Sequence, residues 1–167
     1  MAFVDAITAA LAFLPPSLIV FLIATLPFIE LRGAIPVGIL IYHIDWPIVL
    51  LVAIIGNMLP VPAILWGSPP VERWFRRFPR WDRFLDRLFA RTRRRHSAGV
   101  ERRGVALLLI FVAVPLPMTG AWTGSLLAYL FDLDRITAFI AIAVGVLLSG
   151  IALVGVSLLL DGHLTPF

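Results

Sequence analysis

Charges in this chain interrupt long apolar runs rather than alternating with apolar residues. Residues 6–29, 46–71, 104–131 and 136–160 contain no Asp, Glu, Lys or Arg. A helix needs about 20 apolar residues to cross a ~30 Å hydrocarbon core, so each run is long enough to span a bilayer. Prolines and glycines divide two of the runs. Pro15 and Pro16 interrupt the first, leaving 17–29, and Glu30 and Arg32 separate that piece from 33–44. Later, "PLPMTG" separates 104–114 from 121–131. Pieces this short rise only ~16–20 Å as helices, about half the bilayer. Proline removes a backbone donor, and glycine tolerates the irregular backbone that follows. Each half therefore predicts a short helix, a broken tip, a second short helix and one full span, 46–66 and 136–160.

The halves resemble each other. An offset of 87 aligns "RGAIPVGILIYHID" (32–45) with "TGAWTGSLLAYLFD" (119–132), matching Gly33, Ala34, Leu40, Tyr42 and Asp45 to Gly120, Ala121, Leu127, Tyr129 and Asp132. The expected fold is an all-α integral membrane protein of two inverted repeats. Each repeat is a broken, re-entrant helical hairpin plus one full transmembrane helix. One membrane domain, 1–167, holds repeat 1 (about 16–68), a basic linker (70–103) and repeat 2 (about 104–161). Irregular backbone is not tolerated against lipid, so both tips must line a cavity or pack inside protein, and they are expected to meet near the midplane.

Composition agrees and charge adds an orientation. Hydrophobic residues make up 60% of the 167 positions, far above a soluble domain. All 14 basic residues are arginine, and 12 of them lie between Arg73 and Arg103. By the positive-inside rule the linker 72–103 is cytoplasmic, and the re-entrant geometry places both termini outside. It also keeps every arginine except Arg32 on the cytoplasmic side, whereas pairs that cross as kinked helices would send Arg135 outside. The expected location is the cytoplasmic (inner) membrane, multi-pass. A removable signal peptide is not expected, because the first apolar run has no basic residue before it. Nucleic acid is not an expected partner, since the arginine cluster sits among membrane spans.

The linker is amphipathic: Trp74, Phe78, Trp81, Leu85 and Leu88 recur at helical spacing among arginines. Arg73, Trp74, Arg77, Arg80, Trp81 and Arg87 are the candidate membrane-surface residues, suited to anionic headgroups. On the last span Ala138, Ala141, Gly145, Ser149 and Ala152 form a stripe on which another backbone can approach. Packing within the monomer is the first reading of that stripe, and a homo-oligomer seam the second.

Chemistry concentrates at the tips. A lone charge at the bilayer centre costs at least ~2.5–3.5 kcal/mol, and such groups mark transport paths. Glu30 and Arg32 are candidates to bind substrate and protons; an ion pair stapling the tip is the structural alternative. Residues two apart do not face each other on a helix, so that pair requires unwinding, for which Gly33 and Pro36 are suited. Arginine stays charged and grips phosphate or carboxylate, while a carboxyl group can carry a proton. At the second tip, Pro115 and Pro117 shape the bend. Thr119, Gly120 and Trp122 offer hydroxyl, backbone and indole donors there. Asn57 in the first span completes the candidate set. Cysteine and lysine are absent, and no metal-ligand spacing, phosphate loop or catalytic triad is present, so neither enzyme activity, a metal nor a cofactor is expected.

"ELRGAIP", the basic linker and "PLPMTGAWTGS" resemble the bacterial and archaeal small multidrug export protein family over about residues 20–160. The layout is also distantly similar to the DedA/VTT superfamily, although the arginine motifs of that group have no counterpart at 119–122. These resemblances imply drug efflux in the first case, and paired re-entrant hairpins with lipid-carrier translocation in the second. The expected function is a small secondary transporter or lipid flippase, coupled to protons, whose substrate is a small molecule or a lipid phosphate such as polyprenyl phosphate. Export of lipophilic cations is the alternative. A noncatalytic membrane scaffold or assembly factor anchored by the linker is the third reading.

Overall fold

The computed structural model describes residues 14–75, 98–116 and 119–164, and among these every regular element is helical. In chain order they are α1 (Pro16–Thr25), α2 (Glu30–Pro36) continued by a π-helical turn (Val37–Ile41), α3 (Trp46–Met58), α4 (Pro60–Phe75), α5 (Ala98–Ala113), α6 (Ala121–Leu130) and α7 (Arg135–Leu164). Proline begins α1, where its missing N–H removes no helical bond.

Two helices are long and apolar enough to cross a membrane, Trp46–Gly67 with 22 residues and Arg135–Gly162 with 28. Their outward faces carry Leu51 and Ile55, and Ile136, Ile140, Ile151 and Leu159, all exposed. Large aliphatics displayed along both spans fit hydrocarbon as the surrounding solvent, so this is a membrane protein. The first span is interrupted at Leu59, one residue before Pro60, where an unbroken helix was expected. Pro60 has no N–H to give the Gly56 carbonyl one turn back.

Both halves show the predicted sequence of elements, with two shifts. In the first half the break occupies 26–29, and Glu30, Gly33 and Pro36 all lie in α2. Unwinding was expected at 30–33, but Pro27 terminates α1 earlier, because proline disfavours helical backbone in the residue before it. In the second half α5 begins at Ala98 rather than 104 and runs 16 residues. The second short helix of each half ends near a left-handed residue, His43 (φ 48°) or Asp132 (φ 51°).

The chain divides into two compact units. One holds Met1–Asn57 with Gly150–Phe167, and the other Met58–Ser149. Each therefore contains one broken pair together with parts of both spans.

In the first unit α1 packs along α2. A Cβ added to Gly38 would lie 2.8 Å from Val49 and 3.0 Å from Val20, so α1, the π-helical turn and α3 meet at one level. Further along, a Cβ on Gly56 would lie 2.5 Å from the Phe21 carbonyl oxygen and 3.1 Å from Ala24. Going from Val20 to Ala24 on α1 thus corresponds to going from Val49 to Gly56 on α3, and those two helices run parallel. A Cβ on Gly33 would lie 3.6 Å from Ile23, and one on Gly38 3.0 Å from Val20, so α2 with its π-helical turn returns antiparallel to both. On α7, Gly150 closes against Leu50, where a Cβ would lie at 2.7 Å.

In the second unit Val112 of α5 fills a notch between two glycines. A Cβ on Gly124 would lie 2.7 Å from it, and one on Gly145 2.8 Å. Trp66 and Phe139 stack edge to face with centroids 6.0 Å apart. Ala138, Ala141, Gly145 and Ser149 are buried as a packing face. Ala152 is not: it is exposed, because the buried stripe of α7 drifts to Gly150, Val154 and Ser157.

Candidate functional site

Glu30 is the first residue of α2 and only 5% exposed, in left-handed backbone (φ 50°). Its N–H donates to Leu26 O at 3.1 Å and that of Gly33 to Ile29 O at 3.3 Å, so the turn before α2 already occupies these donors. Left-handed backbone costs a non-glycine residue about 1–2 kcal/mol. That strain at a buried acid, directly after a break, singles the position out. Arg32 lies in the same turn and is half-buried, as are Gly33 and Pro36. Pro36 sits inside the helix, denying the Arg32 carbonyl its helical donor, and the π-helical turn follows at once. Gly33 packs so closely on Ile29 that no side chain could be placed there without displacing it.

Thr25 and Asn57 bring further polar groups to this level of the unit. The Thr25 hydroxyl is 2.9 Å from Phe21 O and 3.2 Å from Gly56 O. Asn57 follows Gly56 and is 1% exposed, and its Oδ1 has no hydrogen-bond partner. Thr25 was not foreseen. Its signal is a hydroxyl residue two positions before the proline that ends α1, able to return its proton to the i−4 carbonyl.

The second break is built differently. Pro115 is exposed, and Pro117 lies outside the described residues. The Thr119 hydroxyl donates within the bend, 2.7 Å from Val114 O and 2.8 Å from Leu116 O, and accepts from Leu116 N–H at 3.1 Å. This wiring holds the turn together, a role sequence reading did not assign to it. Gly120, buried and fully extended, precedes α6, and its carbonyl accepts from Gly124 at 2.8 Å. Trp122 is half-buried. Ser125, also unforeseen, is fully buried and returns its proton to Ala121 O at 2.6 Å.

Of the membrane-surface candidates, Arg73 and Trp74 lie on the α4 backbone, while their side chains, and Arg77, Arg80, Trp81 and Arg87, lie outside the described residues.

The short helix after each break, the first long span, the second break and the greater part of the last span fall within residues 30–152. Those residues match the family described as "Putative small multi-drug export protein". The chain belongs to this family. No curated protein and no solved structure matches it. The match begins at Glu30, directly after the first break, and covers the second break and the start of every apolar run after the first.

Proposed function

We propose that this family member is a small secondary transporter or lipid flippase of the cytoplasmic membrane. Arg32 receives an anionic headgroup of the polyprenyl-phosphate type, and Glu30 carries the coupling proton. The observation that carries the reading is the unequal burial of two charges in one helical turn after a break. Glu30 is enclosed, whereas Arg32 keeps part of its surface accessible. A planar guanidinium within reach of a ligand suits phosphate, and an enclosed carboxyl suits a proton that must not leak.

The same reading takes the two halves as inverted repeats whose broken pairs re-enter, with the linker cytoplasmic and the termini outside. It is supported by the repeated order of elements and the concentration of arginine in one segment. In this reading Trp122, at the start of α6, also contacts the substrate.

The family description favours a second reading, export of lipophilic cations with Glu30 as the binding charge. Binding of a short-chain polyprenyl phosphate and of tetraphenylphosphonium to the purified protein separates the two. The first reading expects Arg32→Gln to abolish binding of the phosphate while Glu30→Gln keeps it. Cation binding that disappears only in Glu30→Gln, with no phosphate binding by the unaltered protein, overturns it in favour of the second.

A further inference from the structure

Asn57 lies at the middle of the first span. It is the twelfth of the 22 residues of Trp46–Gly67, about 16 Å of helix from either end. Its side chain is 1% exposed there, and Oδ1 has no hydrogen-bond partner. Buried polar atoms are almost always paired, and one left unpaired shifts an equilibrium by about 5- to 150-fold against the state that leaves it so. This conformation is therefore biased toward another in which Oδ1 meets a donor. Thr25 has one proton for the carbonyls of Phe21 and Gly56, and Arg32 of α2 is already partnered. The other side-chain donors of α1 and α3, Ser17 and Trp46, stand at the starts of those helices. Water is the donor that remains.

The seam beside Asn57 is weakly closed. Asn57 shares the buried face of α3 with Val49, Ala53 and Gly56. Here α1 meets that face through small residues: a Cβ on Gly56 would lie 3.1 Å from Ala24 and 2.5 Å from the Phe21 carbonyl oxygen. Parting an alanine from a glycine exposes little apolar surface. The Thr25 hydroxyl crosses to Gly56 O at 3.2 Å, the longer of its two contacts, the other being Phe21 O in its own helix at 2.9 Å. It can release Gly56 and keep Phe21. Helix α1 has only 10 residues and stops at Thr25, before the break at 26–29, so no continuing helix holds its end in place.

We propose that this seam is a gate: the end of α1 parts from α3 at Ala24 and Gly56, and water reaches Asn57 Oδ1 at mid-membrane. Opening also wets Gly56 O, which Pro60 leaves without a helical donor. A wall that is apolar when closed and lined by acceptors when open admits a polar group only on opening. The inference rests on the reading of the chain as a transporter, and names the wall of the first unit that opens.

Thiol labelling of the full-length protein in membrane vesicles tests it. Sulfonatoethyl methanethiosulfonate is anionic and reacts with thiolates in water, not in hydrocarbon. The chain has no cysteine, and Ala24, fully buried, takes the reporter as Ala24→Cys. Ala53→Cys, on the same face of α3 as Asn57, serves where that variant does not fold. Leu22→Cys, exposed on α1, is the lipid-facing control. The reporter is expected to react slowly and the control not at all. Adding Asn57→Leu should slow the reporter at least about fivefold, because no unpaired acceptor then favours opening. Adding Gly56→Ala should speed it, because the new Cβ props α1 off α3. A reporter that does not react, or whose rate Asn57→Leu leaves unchanged, would overturn the gate. Equal reaction at Leu22 would overturn it too, since water would then reach α1 from all sides. Labelling needs no substrate, so absent polyprenyl-phosphate binding with these rates as expected would remove the proposed substrate and leave the gate standing.

Discussion

The Thr25 hydroxyl lies 3.2 Å from the carbonyl oxygen of Gly56, which Pro60 leaves without a helical donor. One helix end thus mends the defect in another. In hydrocarbon a broken helical bond must be satisfied from within the protein. Gly56 allows it, since any Cβ there would lie 2.5 Å from the Phe21 carbonyl oxygen and hold α1 away. Thr25→Val, which keeps the shape and removes the proton, is expected to lower stability by about 0.5–2 kcal/mol. Thr25→Ser should recover most of that loss. Urea or thermal unfolding in micelles measures both, and a valine variant as stable as the parent would show that the contact is incidental.

Much of this was legible in the chain. Two of the four uncharged runs, 46–71 and 136–160, correspond to the two helices long enough to cross a membrane, and proline marks the breaks, because each acts through local backbone chemistry. Glu30 and Arg32 stood out because hydrocarbon excludes charge. The position of the first break was misplaced by a few residues: Gly33 and Pro36 look like breakers, but α2 accommodates both and Pro27 acts first. Thr25 was invisible for another reason. Its partner is 31 residues away, and only the register of α1 on α3 brings them together.

Two glycines on α7 make opposite predictions. A Cβ on Gly145 would lie 2.8 Å from Val112 Cβ and 3.0 Å from the Leu109 carbonyl oxygen, neither of which can swing aside. Gly145→Ala is expected to cost about 1–3 kcal/mol through forced separation of α5 and α7. Gly155 has open space where its side chain would be. Gly155→Ala should therefore be neutral or favourable by up to ~1 kcal/mol from helix propensity. Unfolding midpoints of the two variants, measured side by side, check the contrast. Equal losses at both would mean that the exposed face of α7 is also a packed interface.

His43 is exposed and left-handed at φ 48°, between the π-helical turn and α3. Unlike Glu30, it is given no role that requires the strain. His43→Gly should leave stability unchanged or raise it by up to ~1 kcal/mol, the relief of strain being partly offset by a more flexible unfolded chain. A drop larger than that would show that the imidazole makes a contact worth more than the strain.

Asp134 caps the last span. Its Oδ2 accepts from the Thr137 N–H at 2.8 Å and from the Thr137 hydroxyl at 2.7 Å. These two bonds favour the ionised form and hold its carboxyl below the ordinary value of 3.8. A pKa lowered on folding means that the contribution to stability is full above 3.8, and is lost as pH falls through the lower folded value. The stability difference between the parent and Asp134→Asn should therefore be constant near neutrality and shrink only under strong acid. A difference that already vanishes between neutrality and pH 5 would contradict the assignment.

The turn between α6 and α7 decides the topology. Phe131 is exposed there, and the chain contains no cysteine, so Phe131→Cys provides a single thiol. If the second broken pair re-enters, this turn lies on the same side as the arginine-rich linker. If α5 and α6 together cross as one kinked helix, it lies on the opposite side. The re-entrant arrangement keeps Arg135 with the other linker arginines, as the positive-inside rule favours. A membrane-impermeant maleimide should therefore label this thiol in inside-out vesicles and leave it unlabelled in intact cells or right-side-out vesicles. Labelling from the outside would make each pair a crossing element. With two crossings in each half, the repeats would be parallel rather than inverted, and the re-entrant reading would fall.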